Sequence, residues 1–408
     1  MSSSTITCLL FTLAYPYGSS ETFIEAEIKH LSAYFEKVIV FPLSTDNGVL
    51  RQVPDNVSVE LLFKEPVSIK FVVRDVGLLL KVFLHEMIYQ FKSMLSQLRF
   101  NASYLKTEYV KAKLAGQYFQ SKFNDSDCVF YSYWFDARSF MLSLVKVIYP
   151  GYKFEFYSRA HGFDVFKDQT SYGYHPFKNF MSSKIGSVYS VSETGRIYLQ
   201  RHFPQWSQKV KLSYLGTESH AFADKAGTTE FVIATCANVR SIKRIEFIPE
   251  ILKFIPESVK MKWVLIGGGD MLDRVKESCR HLGSHIKCEF TGHLDPEKVH
   301  AYYSENRVDL FLSVSRSEGI PFTMMEAISY GIPLMSTNVG GCSEICNEHT
   351  GVLIEKDFQP KVVAGKILAF SGSRMNTPEF RKGVRKFWEE HFNAEKNYEK
   401  FYKEISLS

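Results

Sequence analysis

The chain has 408 residues, of which 45% are hydrophobic and 23% are charged, which is close to ordinary globular composition. This length exceeds what one hydrophobic core usually serves, so we expect two domains and no large disordered part. The formal net charge of +5 favours anionic ligands or an anionic surface, but it is too small for a typical nucleic-acid-binding protein.

The cysteines and the N-terminus bear on the compartment. The seven cysteines are scattered, odd in number and without a C-x-x-C pair, which argues against a disulfide framework and a zinc site. The apolar run 6–15 lacks a basic start and a cleavage pattern, so we predict a buried first strand rather than a signal peptide. No run of about 18 apolar residues is free of charge. We therefore expect a cytoplasmic protein whose only membrane contact is peripheral, on the inner face.

Short apolar runs in the first half of the chain predict strands. They are ITCLLFTLAY (6–15), KVIVFPL (37–43), CVFYSYW (128–134), YKFEFYSRA (152–160) and SVYSVS (187–192).

The segment 68–100, between the second and third of these runs, has apolar residues on a helical period. An ordinary packed pair of helices accounts for this pattern. A surface that faces an anionic membrane is the alternative, because cationic side chains are interspersed at Lys70, Arg74, Lys81, Lys92 and Arg99.

The second half alternates apolar strands with helical patterns more regularly. Its predicted strands are FVIATC (231–236), KWVLIG (262–267), HIKCEFTG (285–292), VDLFLSVS (308–315) and IPLMST (332–337). Such alternation indicates a doubly wound α/β domain with a parallel sheet covered on both faces.

A polar, glycine-bearing stretch at 216–227 suggests the domain boundary. We predict a Rossmann-like acceptor domain over 1–217 and a Rossmann-like donor domain over 218–385, facing a central crevice. A C-terminal helix over 386–408 is predicted to pack back on the first domain.

The strongest chemical signal is SRSEGIPFTMMEAISYGIPLMSTNVGG, residues 315–341. Pro321 and Gly331 bracket a helix of about ten residues that follows a strand. Glu318 then lies on the loop at the carboxyl end of the strand, and Glu326 lies in the second turn of an otherwise apolar helix. The N-terminus of such a helix favours anions, and flanking carboxylates suit sugar hydroxyls. The alternative is that Glu318 caps the helix and Glu326 is a solvated helix residue.

Here the sequence resembles the retaining glycosyltransferases of family 4, which have the GT-B fold and include surface-polysaccharide enzymes. Their pair of glutamates separated by seven residues is matched by Glu318 and Glu326 in EGIPFTMMEA. The resemblance covers nearly the whole chain, in order, through YPYGSSETFIEAEIKHL, YSYWFD, SRAHGFDVF, SVSETGRIYL, YLGT, VLIGGGD, FTGHL and NVGGCSEI.

The resemblance implies roles for individual residues. Glu326 would hold the ribose hydroxyls of the donor, and Glu318 would contact the transferred sugar. Lys243 would neutralise the donor phosphates, and His161 would line the acceptor side near the anomeric carbon. The remaining substrate-binding residues would be Gly18, Arg244, His293, Leu294, Gly319 and Ile320.

The sequence departs from the family pattern at two positions. Asn238 stands where the family often has a phosphate-binding arginine, so Arg240 or Arg244 would have to serve. Pro321 replaces a frequent glycine and removes one backbone donor. Both changes bear on the phosphate contacts.

No metal or cofactor is expected. The chain has no Asp-x-Asp motif, and its histidines lack ligand-like spacing. The glycines at 267–269 do not match the dinucleotide-binding spacing, so we interpret them as a tight turn into a helix capped by Asp270.

The sequence therefore predicts a metal-independent glycosyltransferase of the hexosyltransferase kind. Its donor, a UDP- or GDP-linked sugar, is a substrate rather than a cofactor. The resemblance implies that the acceptor is a glycan or polyprenyl-linked glycan, that the anomeric configuration is retained, and that the product is lipopolysaccharide, capsule or a similar polysaccharide. The alternatives are a sugar-nucleotide epimerase or hydrolase on the same fold, and a non-catalytic carbohydrate-binding subunit.

Overall fold

The computed structural model describes residues 4–18, 21, 23–45, 50–63, 75–123, 128–170, 172–220 and 229–407. The chain divides into two compact units. The first comprises Met1–Tyr214 together with Glu395–Ser408, and the second comprises Leu215–Ala394.

The first unit is built on a parallel seven-stranded sheet with the order β3-β2-β1-β4-β5-β6-β7. Its strands are β1 (Ser4–Thr12), β2 (Phe35–Pro42), β3 (Val57–Val59), β4 (Cys128–Ser132), β5 (Phe156–Ala160), β6 (Ser187–Ser190) and β7 (Val210–Leu212). Its helices are α1 (Ile24–Tyr34), α2 (Val76–Ser96), α3 (Leu98–Lys122), α4 (Ala137–Ile148), α5 (Lys178–Lys184), α6 (Glu193–His202) and, from the end of the chain, α14 (Ala394–Ser406).

The second unit is built on a parallel six-stranded sheet with the order β10-β9-β8-β11-β12-β13. Its strands are β8 (Phe231–Cys236), β9 (Met261–Ile266), β10 (Ile286–Gly292), β11 (Leu310–Ser313), β12 (Leu334–Thr337) and β13 (Gly351–Ile354). Its helices are α7 (Phe247–Leu252), α8 (Leu272–Cys279), α9 (Pro296–Glu305), α10 (Phe322–Ser329), α11 (Cys342–Ile345), α12 (Pro360–Ser371) and α13 (Pro378–His391).

These sheets confirm the predicted α/β class with two Rossmann-like units. All ten strands predicted from the sequence are present, with ends shifted by a few residues. The short strands β3, β7 and β13 were not predicted, because three or four residues carry too little periodicity to stand out. The predicted cap at Asp270 was wrong, since α8 begins after Met271 and no side chain caps it.

The predicted helical segment 68–100 corresponds to α2 and the start of α3. Lys70 and Arg74 lie outside the described residues. Within the described part of the chain, no helix combines the length and hydropathy needed to cross a bilayer.

The C-terminal helix α14 is held in the first unit by a buried ionic cluster. Arg159 on β5 and Glu27 on α1 are both fully buried, with Nε and Oε1 3.5 Å apart. Arg159 also donates to the Tyr131 hydroxyl at 2.9 Å, and that hydroxyl donates to Glu27 at 3.0 Å. The guanidinium lies 4.1 Å from the ring centroid of Phe401 on α14. One charge pair thus joins strand, first helix and last helix.

The surroundings of Arg159 keep it ionised. Burial by itself lowers the pKa of the guanidinium, but the Glu27 carboxylate and nearby tyrosine hydroxyls outweigh burial and raise it. Losing one member would leave the other charge buried without its partner.

We therefore expect Arg159→Met to lower the unfolding free energy of the first unit by about 3 to 5 kcal/mol, because Glu27 would remain buried and uncompensated. Urea denaturation followed by circular dichroism measures this. Arg196→Met is the matched control: its ion pair with Glu193 is partly exposed, so its loss should cost less than about 1 kcal/mol. Equal losses in the two variants would contradict a structural role for the buried pair.

Candidate functional site

The site in the second unit forms where the direction of strand order reverses. The chain builds the sheet outward from β8 through β9 and β10, and then outward on the other side through β11, β12 and β13. Loops after β8 and β11 therefore leave the sheet side by side at its carboxyl edge. In open α/β sheets this switch point is the usual place for a ligand.

An ion pair joins those two loops. Lys243 follows β8 and Glu318 follows β11, and Nζ of Lys243 lies 2.5 Å from Oε1 of Glu318. Both side chains are partly accessible, at 27% for Lys243 and 11% for Glu318. A cation and a carboxylate that the sequence separates by 75 residues thus share one site.

The loop that carries Glu318 is fixed by the turn after β12. Gly340 has φ +52°, and a Cβ added there would lie 1.8 Å from the Glu318 carbonyl oxygen. The next residue, Gly341, donates its N–H to the Gly319 carbonyl at 2.8 Å. Glycine is required at 340 because the backbones approach too closely for any side chain. Gly319 and Ile320, both half-buried, lie within this supported loop.

Helix α10 begins directly after the loop and carries Glu326. The Glu326 side chain is buried, with 9% of the residue exposed, yet its carboxylate accepts no hydrogen bond from any described residue. Burial raises its pKa to about 7. A buried carboxylate without donors is costly unless something else supplies them.

Histidine and tyrosine side chains lie beside Glu326. Nε2 of His300 on α9 is 3.9 Å from Glu326 Oε1, and Nδ1 of the same ring is 3.2 Å from the Tyr330 hydroxyl. The His220 ring stacks on Tyr330 at 5.0 Å. Burial lowers the pKa of His300 to about 4, and the neighbouring His220 acts in the same direction to a smaller extent. His300 is therefore neutral at neutral pH and does not compensate the Glu326 charge.

Arg244, one of the two predicted candidates for a phosphate-binding cation, makes several hydrogen bonds within the fold. Its guanidinium is buried and donates to the carbonyl oxygens of Val314, Ser315 and Lys356. It holds the loop after β11 to the loop after β13, so this side chain is already engaged. Arg240, which is exposed in the loop after β8, is the other candidate for a second cation.

The loops after β9 and β10 complete the carboxyl edge. Gly267 has φ +138°, and a Cβ there would lie 2.0 Å from the Ala237 carbonyl oxygen, which confirms a tight turn. The backbone of His293 lies near Gly268. His293 is exposed and Leu294 is half-buried, and their roles stay predictions.

The first unit has its own switch point, between β1 and β4. Gly18, with φ +67°, lies in the loop after β1. Glu21 in the same loop accepts the backbone N–H groups of Ala14 and Tyr15, both at 2.8 Å, and the indole N–H of Trp134 at 2.5 Å. Glu21 thereby ties the loop after β1 to the loop after β4.

His161 follows β5 and lies among aromatic rings. Its ring centroid is 4.3 Å from that of Trp134 and 5.0 Å from that of Tyr133. Only 9% of His161 is exposed, and neither ring nitrogen makes a hydrogen bond within the described part of the chain. Phe163, 44% exposed, lies 4.8 Å from Trp134 and extends this aromatic surface outward.

The His161 backbone is held by a buried aspartate. Asp164 accepts the N–H groups of His161 at 2.7 Å and of Phe135 at 2.9 Å. Burial acts to raise the pKa of Asp164, but His161, Lys178 and these hydrogen bonds outweigh it and lower the pKa to about 2. The ammonium of Lys178 is itself buried and donates to the Asp164 carbonyl at 2.6 Å, and burial lowers its pKa to about 8.

Sequence reasoning therefore missed the supporting residues around each predicted one. Trp134 and Asp164 contact His161, Glu21 and Lys178 hold those two residues in turn, and His300 lies beside Glu326. Glu21 and Asp164 stand inside the quoted motifs SSETF and HGFDVF, which was the available signal. Lys178 and His300 are isolated in the sequence, and nothing near them indicated a role.

The described ranges contain no group of three or more His, Cys, Asp or Glu side chains arranged to hold a metal ion.

Residues 217–386 match the family of glycosyl transferases group 1. The O-antigen biosynthesis glycosyltransferase WbnH of Escherichia coli is 33% identical over 108 residues, which is 26% of this chain and 29% of that protein. The aligned part is thus less than a third of the relative's length.

Solved structures resemble the chain over almost its whole length. Sucrose-phosphate synthase from Thermosynechococcus elongatus superimposes with a TM-score of 0.71 at 16% identity, covering 98% of both chains. Anabaena HepE, solved with UDP and glucose, gives 0.68 at 12% identity, covering 98% of this chain and 99% of that one. These likenesses show the GT-B fold.

The buried Glu326 predicts a pH-dependent stability difference. A carboxyl whose pKa is raised from about 4.5 to about 7 on folding destabilises the folded state as pH rises through that interval, because the folded state binds the extra proton. We expect the unfolding free energy of Glu326→Gln, measured relative to that of the wild type, to rise by about 2 to 3 kcal/mol between pH 5 and pH 8.

Chemical denaturation of ligand-free protein at several pH values measures this difference. Glu305→Gln, on the exposed end of α9, is the matched control and should follow the wild type. A Glu326→Gln curve parallel to the wild type at all pH values would contradict an uncompensated buried carboxylate.

Proposed function

We propose that this protein is a glycosyltransferase that moves a sugar from a nucleotide-sugar donor to a glycan or lipid-linked glycan acceptor during synthesis of a surface polysaccharide. The observation that carries the proposal is the Lys243–Glu318 pair on the loops at the switch point, followed directly by helix α10, which carries the uncompensated Glu326. The match of residues 217–386 to group 1 glycosyl transferases supports it.

The donor would supply what Glu326 lacks. Ribose hydroxyls are donors that a buried carboxylate can accept, and each charge-assisted hydrogen bond is worth about 1.5 to 3 kcal/mol. The N–H groups at the start of α10 and the positive end of its dipole suit the diphosphate. UDP- and GDP-linked sugars both fit this chemistry.

Lys243 would act on the leaving group. As the bond between the anomeric carbon and the phosphate oxygen breaks, negative charge grows on the diphosphate, and the ammonium of Lys243 stabilises it. Glu318, which pairs with Lys243 in the ligand-free site, then becomes available to the hydroxyls of the transferred sugar. Arg240 would add a second cation. No metal ion is needed for this charge stabilisation.

The acceptor hydroxyl forms the new bond to the anomeric carbon. Its proton would pass to a phosphate oxygen of the departing diphosphate, so that attack and departure occur on the same face and the anomeric configuration is retained. No side chain acts as the base in this step. His161, with its aromatic neighbours in the first unit, would bind the sugar at the acceptor side, because flat aromatic faces pack against sugar rings.

The function is tested by thermal unfolding with nucleotides. We expect at least one compound among UDP, GDP and their hexose conjugates to raise the unfolding temperature of the wild type, because a ligand that binds only the folded state stabilises it. The same ligand should have little effect on Glu326→Ala, whose donor affinity is expected to fall by about tenfold to a hundredfold or more.

Glu305→Ala is the control for this experiment and should respond as the wild type does. The shift should persist in excess EDTA, and its loss on chelation would overturn metal independence. Product analysis with the responding donor then separates transfer from epimerisation or hydrolysis. No response to any nucleotide or nucleotide sugar would overturn the proposal and favour a non-catalytic role.

Lys243→Ala should lower kcat by about a hundredfold, because the lost interaction strengthens as the leaving group becomes charged. The unfolding temperature should change little, because both members of the Lys243–Glu318 pair are partly accessible to solvent. Steady-state transfer rates with the responding donor measure this. Lys361→Ala, an exposed lysine on α12, should leave kcat unchanged. A rise in KM alone would show that Lys243 binds the ground state and the transition state equally.

A further inference from the structure

Helix α2 exposes its most apolar stripe. Five large side chains spaced three or four residues apart lie on one face, and each is about half exposed or more: Leu80, Leu84, Ile88, Phe91 and Leu95. Ile88 is 77% exposed. The helix backbone breaks at Gln90, yet the apolar stripe continues past the break. Single exposed apolar residues are common on protein surfaces, but a continuous stripe is not.

The opposite face of α2 packs on the first unit. Val82, Glu86 and Met94 are buried, and Phe83 packs edge-on against Phe177 at 6.3 Å. The exposed stripe is therefore not the packing face of the helix. The helix has 21 residues and is roughly 30 Å long, so the stripe is long enough to meet an extended surface.

The acidic residue of α2 is turned inward. Glu86 is fully buried and accepts the backbone N–H of Phe180 at 3.0 Å and the side-chain amide of Asn179 at 3.1 Å, at the start of α5. Asp75, immediately before α2, is paired with Lys113. Neither carboxylate adds free negative charge to the exposed face.

Within the part of the chain that the structure describes, the exposed ionised side chains of α2 and of the first turn of α3 are all positive. Lys81 and Lys92 on α2 and Arg99 at the start of α3 are exposed. On a helical projection Lys81 and Lys92 fall next to Ile88, along one edge of the stripe. An apolar stripe bordered by cations is the pattern of a helix that lies in the headgroup region of an anionic membrane.

We infer that α2 docks this protein on an anionic lipid bilayer, with Leu84, Ile88 and Phe91 inserted among the acyl chains and Lys81, Lys92 and Arg99 at the phosphate level. The inference goes beyond the proposed function, since it does not depend on the donor site. It would place the first unit where a lipid-linked acceptor is presented.

A second copy of the chain is the competing occupant of the stripe. A two-fold contact would bring the same face of two molecules together, and the described residues of α2 place no exposed carboxylate on this face to meet Lys81 and Lys92. A bilayer of anionic lipid supplies both the apolar interior and the negative charge.

The apolar contribution is tested with the triple variant Leu84→Gln/Ile88→Gln/Phe91→Gln. Its control is Ile197→Gln/Phe254→Gln/Val362→Gln, which replaces three exposed apolar residues on other elements. We expect vesicles of equal parts phosphatidylcholine and phosphatidylglycerol to co-sediment the wild type and the control. The α2 variant should bind at least about tenfold more weakly.

The cationic contribution is tested with Lys81→Glu/Lys92→Glu/Arg99→Glu. Its control, Lys276→Glu/Lys361→Glu/Lys382→Glu, changes the net charge by the same amount at exposed positions of the second unit. We expect the α2 charge variant to lose about a hundredfold in affinity, the control to lose little, and wild-type binding to fall as salt rises.

The unfolding temperatures of all four variants should match the wild type, because the altered side chains are exposed, and nucleotide response should be kept. Vesicle binding that is absent in the wild type, or equal in the α2 variants and their controls, would overturn membrane docking. Wild-type dimers that become monomers in the apolar variant, without vesicle binding, would assign the stripe to a second copy instead. Loss of nucleotide response with vesicle binding intact would overturn only the proposed function.

Discussion

The carboxyl ends of parallel strands are the constraint on which both candidate sites depend. In each unit the strand order reverses once, and the two loops beside the reversal are joined by a carboxylate. Glu318 meets Lys243 between the loops after β11 and β8, and Glu21 meets Trp134 between the loops after β1 and β4. Parallel strands with right-handed crossovers bring distant parts of the chain to the same edge, so these pairs form without local sequence contact.

Buried charges in the two units affect stability differently, because one set is paired with opposite charges and the other is not. Arg159 and Glu27 compensate each other inside the first unit, and the tyrosine hydroxyls and aromatic rings around them complete the cluster that holds α14. Glu326 is buried as well, but its neighbour His300 is kept neutral by its own burial. A paired buried charge joins elements of the fold, whereas an uncompensated one at a carboxyl edge is a cost that a ligand can relieve.

Helix α2 exposes an apolar face to solvent. Its one acidic residue, Glu86, is turned inward to the start of α5, whereas Leu84, Ile88 and Phe91 are turned outward. Hydropathy along the segment 68–100 indicated a helix but could not show which face is covered, because the inward face is also apolar. The exposure of Leu84, Ile88 and Phe91 became evident only with α2 packed on its neighbours.

The α/β class, the positions of ten strands along the chain, and the placement of Glu318 on a loop and Glu326 in the helix that follows could be predicted from the sequence alone. Local patterns are sufficient for these predictions, because an apolar run indicates a strand, and Pro321 and Gly331 mark the ends of a helix, through the conformations of adjacent residues. Which side chains meet depends on how the elements pack. That packing pairs Lys243 with Glu318, engages Arg244 with three carbonyl oxygens, places His161 against Trp134, and brings the Lys178 ammonium to the Asp164 carbonyl. These contacts join residues 14 or more positions apart in the sequence, and their geometry is set by how strands pair and helices pack rather than by any local signal.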